Sequence, residues 1–175
     1  MKYTPAEKMQ MEAIYNPKGM AYFEFGDLIA LSNSTSGVYI KREEVRIDLT
    51  KILLVEGEKK EIINPQRLWK NSVMAEKEAT GKEDTKYWII TGEDGRKAYV
   101  RDHIMKLFGN GARCRIEGYT KPVLIVKNRN IPIGYVFTFV RIEDLKDRKI
   151  AEEWSNSRSS YFFAEPGGEQ KEGGV

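Results

Sequence analysis

The chain has 175 residues, of which 41% are hydrophobic and 31% are charged, and its formal net charge is +3. This composition predicts one soluble globular domain that needs no disulfide or metal to hold it together. The sequence excludes a membrane-spanning helix because no stretch approaches about 18 apolar residues. The single cysteine, Cys114, excludes an internal disulfide framework and a cysteine-based zinc site. With no apolar signal core in the opening residues MKYTPAEKMQMEAIY, we expect a cytoplasmic protein.

The N-terminal half is predicted to start with a helix and to continue as short strands. Thr4 is a suitable N-cap, Pro5 favours the first helical position and Glu7 can complete a capping box, while Asn16-Pro17 ends the helix. Alternating apolar residues bounded by turn residues then predict strands at 21–25, 28–32, 38–41, 45–49, 52–55 and 61–63.

The C-terminal half is predicted to mix helices with hairpins. A helix of about 14 residues opens at Asn64-Pro65 and closes at Gly81, and a shorter helix at 102–108 ends at Gly109. Further strands are predicted at 87–91, 96–100, 112–117, 123–126 and 133–140, and a last helix at 142–154. These short strands run consecutively rather than alternating with the three or four helices, which predicts an α+β fold with a mostly antiparallel sheet. We expect one domain over residues 1–154 and a flexible tail over 155–175.

Residues 96–129, here called the basic segment, concentrate positive charge. Nine Lys or Arg stand there against Asp102 and Glu117, which gives the segment a charge of +7 while the rest of the chain sums to −4. Clustered cations are typical of a surface that binds a polyanion, because each neutralised phosphate releases counterions. Aromatic residues interleave only lightly, which favours contact with a nucleic-acid backbone over stacking on bases.

The sequence therefore predicts a non-catalytic, DNA-associated accessory module that binds the nucleic-acid backbone. The predicted binding residues are Lys97, Arg101, Lys106, Arg113, Arg115 and Lys121. Arg113 and Arg115 alternate on one strand and should project together. The alternative is a solvated sheet face whose cations are balanced by acids that the fold brings near.

The basic segment also contains two residues, a histidine and a cysteine, of types that can bind metals or act in catalysis. His103 is the only histidine, which excludes a multi-histidine metal centre and favours a structural or surface role. Cys114 lies between two outward arginines, so it should point toward the core as a small buried hydrophobe.

An enzymatic alternative depends on Asp48, Glu58 and Lys60. These residues are similar to the Asp-then-Glu-x-Lys arrangement of metal-dependent nucleases, in which two carboxylates hold Mg²⁺ and the lysine helps to position the attacking water. The run GEKK at 57–60 is also typical of an ordinary hairpin tip. No glycine-rich phosphate loop is present, and we predict no cofactor.

The C-terminal tail carries the aromatic run Tyr161, Phe162 and Phe163. Such rings favour docking, and we predict that this hook packs on a neighbouring copy, which would make the protein a homo-oligomer. A third function class follows: a structural or assembly protein whose cations face the acidic patches of a neighbouring subunit.

Residues 96–142, RKAYVRDHIMKLFGNGARCRIEGYTKPVLIVKNRNIPIGYVFTFVRI, resemble the closing half of a DNA sliding-clamp domain. That pattern has a short helix, a strand, a proline-led strand like KPVLIV and a final strand that returns to the sheet. The resemblance covers about a quarter of the chain and implies basic helices that face duplex DNA without reading its sequence, with Arg101 and Lys106 on that side. Clamp chains carry two or three such domains and this chain has room for one, so a ring would need self-assembly.

Overall fold

The computed structural model describes residues 2–81, 86–109, 111–128 and 130–160, with residues 156–160 described by their main chain alone. Its ten strands form one sheet in the order β4-β1-β2-β3-β10-β9-β8-β5-β6-β7. The strands are β1 Ala21–Phe25, β2 Leu28–Ser32, β3 Ser36–Lys41, β4 Leu53–Leu54, β5 Val73–Thr80, β6 Tyr87–Gly92, β7 Lys97–Arg101, β8 Arg113–Ile116, β9 Val123–Lys127 and β10 Ile131–Val136. The helices are α1 Pro5–Tyr15, α2 Pro65–Asn71, α3 Asp102–Met105 and α4 Arg148–Ser160.

The fold is α+β with a mixed, mostly antiparallel sheet, as the sequence predicts. Among the described strands the β1–β4 pair is parallel and the other neighbours pair antiparallel. The predicted start of α1 is confirmed: the Thr4 side chain accepts from the Glu7 amide at 3.1 Å, and the Glu7 carboxylate accepts from the Thr4 amide at 2.8 Å. This capping box satisfies two amides that the first helical turn would otherwise leave unpaired.

Apolar residues bury both faces of the sheet. On one face, Val38, Ile125 and Ile116 pack with Met9 of α1 and Ile104 of α3. The other face is covered by α2 and the preceding 3-10 helix, and its buried cluster runs as follows: Ala21, Phe23, Ala30, Tyr39, Val55, Ile63, Leu68, Leu124, Val126, Tyr135 and Phe137. Burial on both faces makes the β3-β10-β9 region the centre of the molecule.

The β10-to-β7 half of the sheet curls back on itself. Tyr99 of β7 forms an antiparallel bridge with Phe139, which lies just beyond the end of β10, and the Phe139 amide donates to the Tyr99 carbonyl at 2.9 Å. Strands β7 and β10 are the two ends of a six-strand run. Strong curvature is therefore needed to bring them together, and it places the chain after β10 beside the edge of β7.

The long helix predicted from Asn64 to Gly81 is wrong beyond its first turns. Helix α2 has seven residues and ends at Ser72, whose amide donates to the Trp69 carbonyl at 3.4 Å. The following run VMAEKEAT is strand β5, which pairs with β6 on one side and with β8 on the other. Two ladders of backbone hydrogen bonds override the helix propensity of Met, Ala, Glu and Lys.

Two of the predicted strands are also wrong, because local hydrogen bonds replace strand pairing there. Residues 45–48 lie between the 3-10 helices Arg42–Glu44 and Leu49–Lys51, so Leu49 already belongs to the second helix, and the Arg46 amide donates to the Gln10 side chain at 2.6 Å. Residues 61–63 close the 3-10 helix Gly57–Ile63.

The two C-terminal helices differ from prediction in their limits. Helix α3 stops at Met105, followed by turns that reach Phe108. The predicted helix at 142–154 is divided at Asp147 into a 3-10 helix and α4, because the Asp147 carboxylate accepts from the Lys149 amide at 2.9 Å and caps α4. Helix α4 continues to Ser160, past the expected end of the domain at Trp154. The predicted hook at Tyr161, Phe162 and Phe163 lies outside the described residues.

Candidate nucleic-acid interface

Strand β7 and helix α3 position three of the predicted binding residues. Along β7, Ala98 and Val100 are buried in the core, so Lys97 and Arg101 lie on the opposite face. Lys97 and Arg101 are both exposed, at the two ends of the strand. Lys106 follows α3 with its side chain 75% exposed, and its Nζ lies 3.5 Å from the Asp102 carboxylate.

Asp102, the acid between these cations, is engaged by two neighbouring side chains. Asp102 accepts a hydrogen bond from the Trp88 indole at 2.9 Å, and its side chain is only 15% exposed. The Asp102 carboxylate is therefore hydrogen-bonded to Trp88 and paired with Lys106. The Arg101 guanidinium forms no ion pair with the described residues and lies over the Phe139 ring, 4.5 Å from the ring centre.

Arg101 and His103 border a cleft of about 340 Å³. The β2–β3 loop contributes Ser34 and Thr35, and the chain after β10 contributes Thr138 and Phe139. The cleft, called here the Arg101 cleft, is thus bordered by an arginine, a histidine and three hydroxyl-bearing residues, of which Thr35 donates its hydroxyl to the Asn33 side chain at 2.9 Å. Hydroxyl and guanidinium groups are common partners of phosphate oxygens.

A network centred on Arg141 holds the chain that forms one wall of this cleft. The Arg141 guanidinium lies 4.3 Å from the centre of the Tyr99 ring and donates to Asp144 at 2.7 Å, while the Tyr119 hydroxyl also donates to Asp144. The hydrogen bonds from Arg141 and Tyr119 hold the pKa of the Asp144 carboxyl below its usual range. Burial and the bond to Asp144 raise the pKa of Tyr119 well above that of an ordinary tyrosine. The network fixes residues 137–144 beside β7 and so positions Phe139 under Arg101.

This network was missed by sequence reasoning. The one signal for it was the spacing Arg141-x-x-Asp144, which is a common local ion pair and says nothing about Tyr99 or Tyr119. Tyr119 lies 20 residues from Tyr99, and their rings meet edge to face at 5.4 Å only because the sheet curls.

Arg115, one of the predicted binding residues, is occupied in the fold. Its guanidinium stacks 4.0 Å from the centre of the Trp69 ring, and it donates to the Ser72 carbonyl at 2.7 Å and to the Ser72 hydroxyl at 3.0 Å. Burial lowers the pKa of this guanidinium below its ordinary value. Arg115 therefore ties β8 to the end of α2, whereas Arg113 on the same strand face is exposed.

Arg96, another cation of the basic segment, has a similar structural role. It pairs with Asp94 at 2.7 Å and donates to the carbonyls of Asn71 at 2.9 Å and Glu117 at 3.0 Å. The Glu117 carboxylate in turn accepts hydrogen bonds from both terminal nitrogens of Arg67, each at 3.0 Å. These contacts pin the β6–β7 hairpin to the end of α2.

The exposed cations do not form one continuous patch. Lys97, Thr91 and Glu76 lie in one row across β7, β6 and β5, and Arg113 lies on the same face of β8 beyond Glu76. Three strand spacings separate β7 from β8, or about 14 Å. Lys121 lies apart from both, exposed in the turn before β9. A binding role for the six predicted residues stays a prediction.

Two residues of the nuclease alternative make hydrogen bonds within the fold. Asp48 accepts from the Thr50 amide at 3.0 Å and from the Thr50 hydroxyl at 2.6 Å, and Lys60 donates to the Glu24 carbonyl at 3.3 Å. Glu58 is exposed in the 3-10 helix after Val55. The described part of the chain contains no group of three or more His, Cys, Asp or Glu placed to hold a metal ion.

Cys114 points to the core, as predicted. It is 1% exposed, and burial raises the pKa of its thiol to about 11. A neutral, buried thiol is a poor nucleophile.

The chain matches no family model, and the searches of curated proteins and of solved structures find no match to it. No helix in the described residues is long and apolar enough to cross a membrane. The resemblance of residues 96–142 to a sliding-clamp domain stays a prediction.

Proposed function

We propose that the protein is a non-catalytic module that binds the backbone of duplex DNA at the Arg101 cleft. The observation that supports this most is an exposed arginine beside three hydroxyl-bearing residues in one cleft, with the nearby Asp102 carboxylate engaged by Trp88 and Lys106. Arg101 offers a planar fork of donors that suits phosphate oxygens, and its stacking on Phe139 holds the fork in place.

The other exposed cations extend the proposed contact beyond a single phosphate. Lys106 lies one turn after Arg101, and Lys97 lies four residues earlier on β7, about 13 Å away along an extended strand. A small anion cannot span that distance, whereas duplex DNA carries about one charge per 1.7 Å of its axis. The contacts are to phosphate and therefore carry no sequence preference. A clamp-like mode of binding would also contact phosphates without reading the sequence, and we propose it as one form of this function.

The test is a fluorescence-anisotropy titration of a labelled duplex over a range of salt concentrations. The variant replaces Lys97, Arg101 and Lys106 by alanine. Each lost phosphate contact makes the slope of log K against log salt shallower by about 0.9, so three lost contacts change it by about 2.7. Single-stranded DNA and heparin serve as competing polyanions.

The matched control replaces three exposed lysines elsewhere, Lys51, Lys59 and Lys70, by alanine. It removes the same charge, so equal losses in both variants would mean diffuse attraction and would overturn the proposed site. Absence of binding by the wild-type protein at low salt would overturn the proposed function itself. Equal affinity for duplex and heparin would reduce the proposal to general polyanion binding.

A further inference from the structure

Helix α1 presents an apolar stripe that no part of the described chain covers. Met11, Ile14 and Tyr15 are 38%, 63% and 86% exposed, and their spacing of three and four residues makes them neighbours on the helix surface. The opposite side of α1 already holds the helix to the sheet, since Met9 and Ala13 are 1% and 3% exposed. The side chains of the stripe are therefore not needed to pack α1 on its own domain.

Charges flank this stripe with opposite signs at its two ends. Glu7 lies four residues before Met11, in the first turn of α1, and Lys18 lies in the short 3-10 helix just beyond the C-terminal end. An antiparallel pair of such helices about a two-fold axis would set Met11 of one copy beside Ile14 of the other. The same operation brings Glu7 of each copy to the Lys18 end of its neighbour. The Glu7 and Lys18 charges are thus placed to meet opposite charges across a two-fold axis, as a self-complementary interface requires.

We propose that two copies of the chain associate through α1, packed antiparallel across the stripe of Met11, Ile14 and Tyr15. This inference is independent of the DNA-binding proposal, because it uses none of the cations of β7 or α3. It also differs from the predicted aromatic hook, since the contact is helix against helix.

The size of the surface sets the strength of the association. An 11-residue helix is about 16 Å long, and a seam of that length buries less than the roughly 1,600 Å² of a standard interface. The dimer should therefore be weak and depend on concentration. Its apolar centre and its two symmetric Glu7–Lys18 contacts both contribute.

The experiment is sedimentation equilibrium of the full chain over a wide range of concentration. Wild-type protein should shift from monomer to dimer as concentration rises, and Ile14→Glu should remain monomeric at every concentration because the substitution would place two carboxylates in the seam. Ile131→Glu is the matched control: Ile131 is 57% exposed on β10, so the same charge is added outside the stripe. Circular dichroism checks that both variants fold.

A charge exchange makes the test specific to the antiparallel geometry. Lys18→Glu sets like charges against each other in both symmetric contacts and should weaken the dimer about tenfold. Adding Glu7→Gln to that variant removes the repulsion and should recover part of the lost affinity, while glutamine can still complete the capping box with Thr4. Three results would each overturn the proposal: a wild-type monomer at all concentrations, a dimer that survives Ile14→Glu, and a Lys18→Glu, Glu7→Gln variant that dimerises no better than Lys18→Glu alone. If the dimer survives Ile14→Glu but is lost on truncation after Trp154, the tail makes the contact instead.

Discussion

Replacing Arg115 by alanine should destabilise the fold and leave DNA binding almost unchanged. The sequence placed this residue among the cations of a binding surface, whereas its guanidinium is sandwiched between the Trp69 ring and the end of α2. Arg115→Ala removes the stack and two hydrogen bonds to Ser72 together. The variant therefore separates a structural cation from a binding one.

The magnitude follows from those contacts. A hydrogen bond from a charged donor contributes about 1.5–3 kcal/mol, and a partly exposed cation–π contact adds about 1 kcal/mol. Water can hydrate the Ser72 groups that the variant leaves unpaired, and this offsets part of the lost stabilisation. We therefore expect the free energy of unfolding to fall by about 2–4 kcal/mol. For a chain of this size that lowers Tm by roughly 10 °C. Arg115→Lys should lose nearly as much, because an ammonium cannot reproduce the planar fork.

Urea denaturation followed by tryptophan fluorescence measures the free energy of unfolding. The matched control is Arg113→Ala, two residues earlier on the same face of β8 and exposed, which should change the unfolding free energy by less than about 0.5 kcal/mol. DNA affinity is measured in parallel by anisotropy. If Arg115→Ala leaves the unfolding free energy unchanged and weakens DNA binding, the structural assignment of Arg115 is refuted.

Three further predictions concern the core and the Asp144 network. Cys114 should resist thiol reagents at pH 8 in the folded protein, because its pKa is raised to about 11 by burial, and should react once denaturant unfolds the chain; rapid labelling of native protein would contradict this. Arg141 holds the pKa of the Asp144 carboxyl below its usual value, so the stabilisation from Asp144 is present above about pH 4 and is lost as the pH falls through the folded-state pKa. Asp144→Asn should therefore flatten the pH dependence of the unfolding free energy between about pH 5 and pH 2. An unchanged profile would count against the network. Gly37→Ala should cost about 1–3 kcal/mol in a urea titration, because its new Cβ would overlap the buried Tyr135 ring on the neighbouring strand, and an unchanged midpoint would show that the ring can move.

Local chemistry explains which elements could be predicted from the sequence. The start of α1 is determined by Thr4, Pro5 and Glu7, which act on one another within a single turn. The β1–β2 and β6–β7 hairpins are likewise marked by Gly26 and Gly95, whose φ angles of 63° and 94° lie in the left-handed region. Such signals need no knowledge of distant parts of the chain.

The β5 segment shows where such reasoning fails. Its sequence alone favours a helix, and only the β8 strand, some 40 residues later, gives it a second partner in the sheet. For residues 45–49 the sequence predicts a strand, and the structure has none. They alternate like a strand and do turn Val45, Ile47 and Leu49 toward the core, yet the Arg46 amide bonds to Gln10 of α1 rather than to another strand. In both cases a long-range partner decides the backbone conformation.

The candidate site was predicted only in part because a count of charges treats all cations alike. Arg96 and Arg115 each direct a planar fork of donors at backbone carbonyls, a role that a compact ammonium fills poorly. The described lysines of the basic segment, Lys97, Lys106, Lys121 and Lys127, are all exposed. Arg101 is the informative exception, because it stacks on an aromatic ring as Arg115 does, yet among the described residues it makes no hydrogen bond to a backbone carbonyl and borders the Arg101 cleft. What separates the structural arginines from the one proposed to bind DNA is a carbonyl within reach, and that depends on the curl of the sheet rather than on the sequence around the residue.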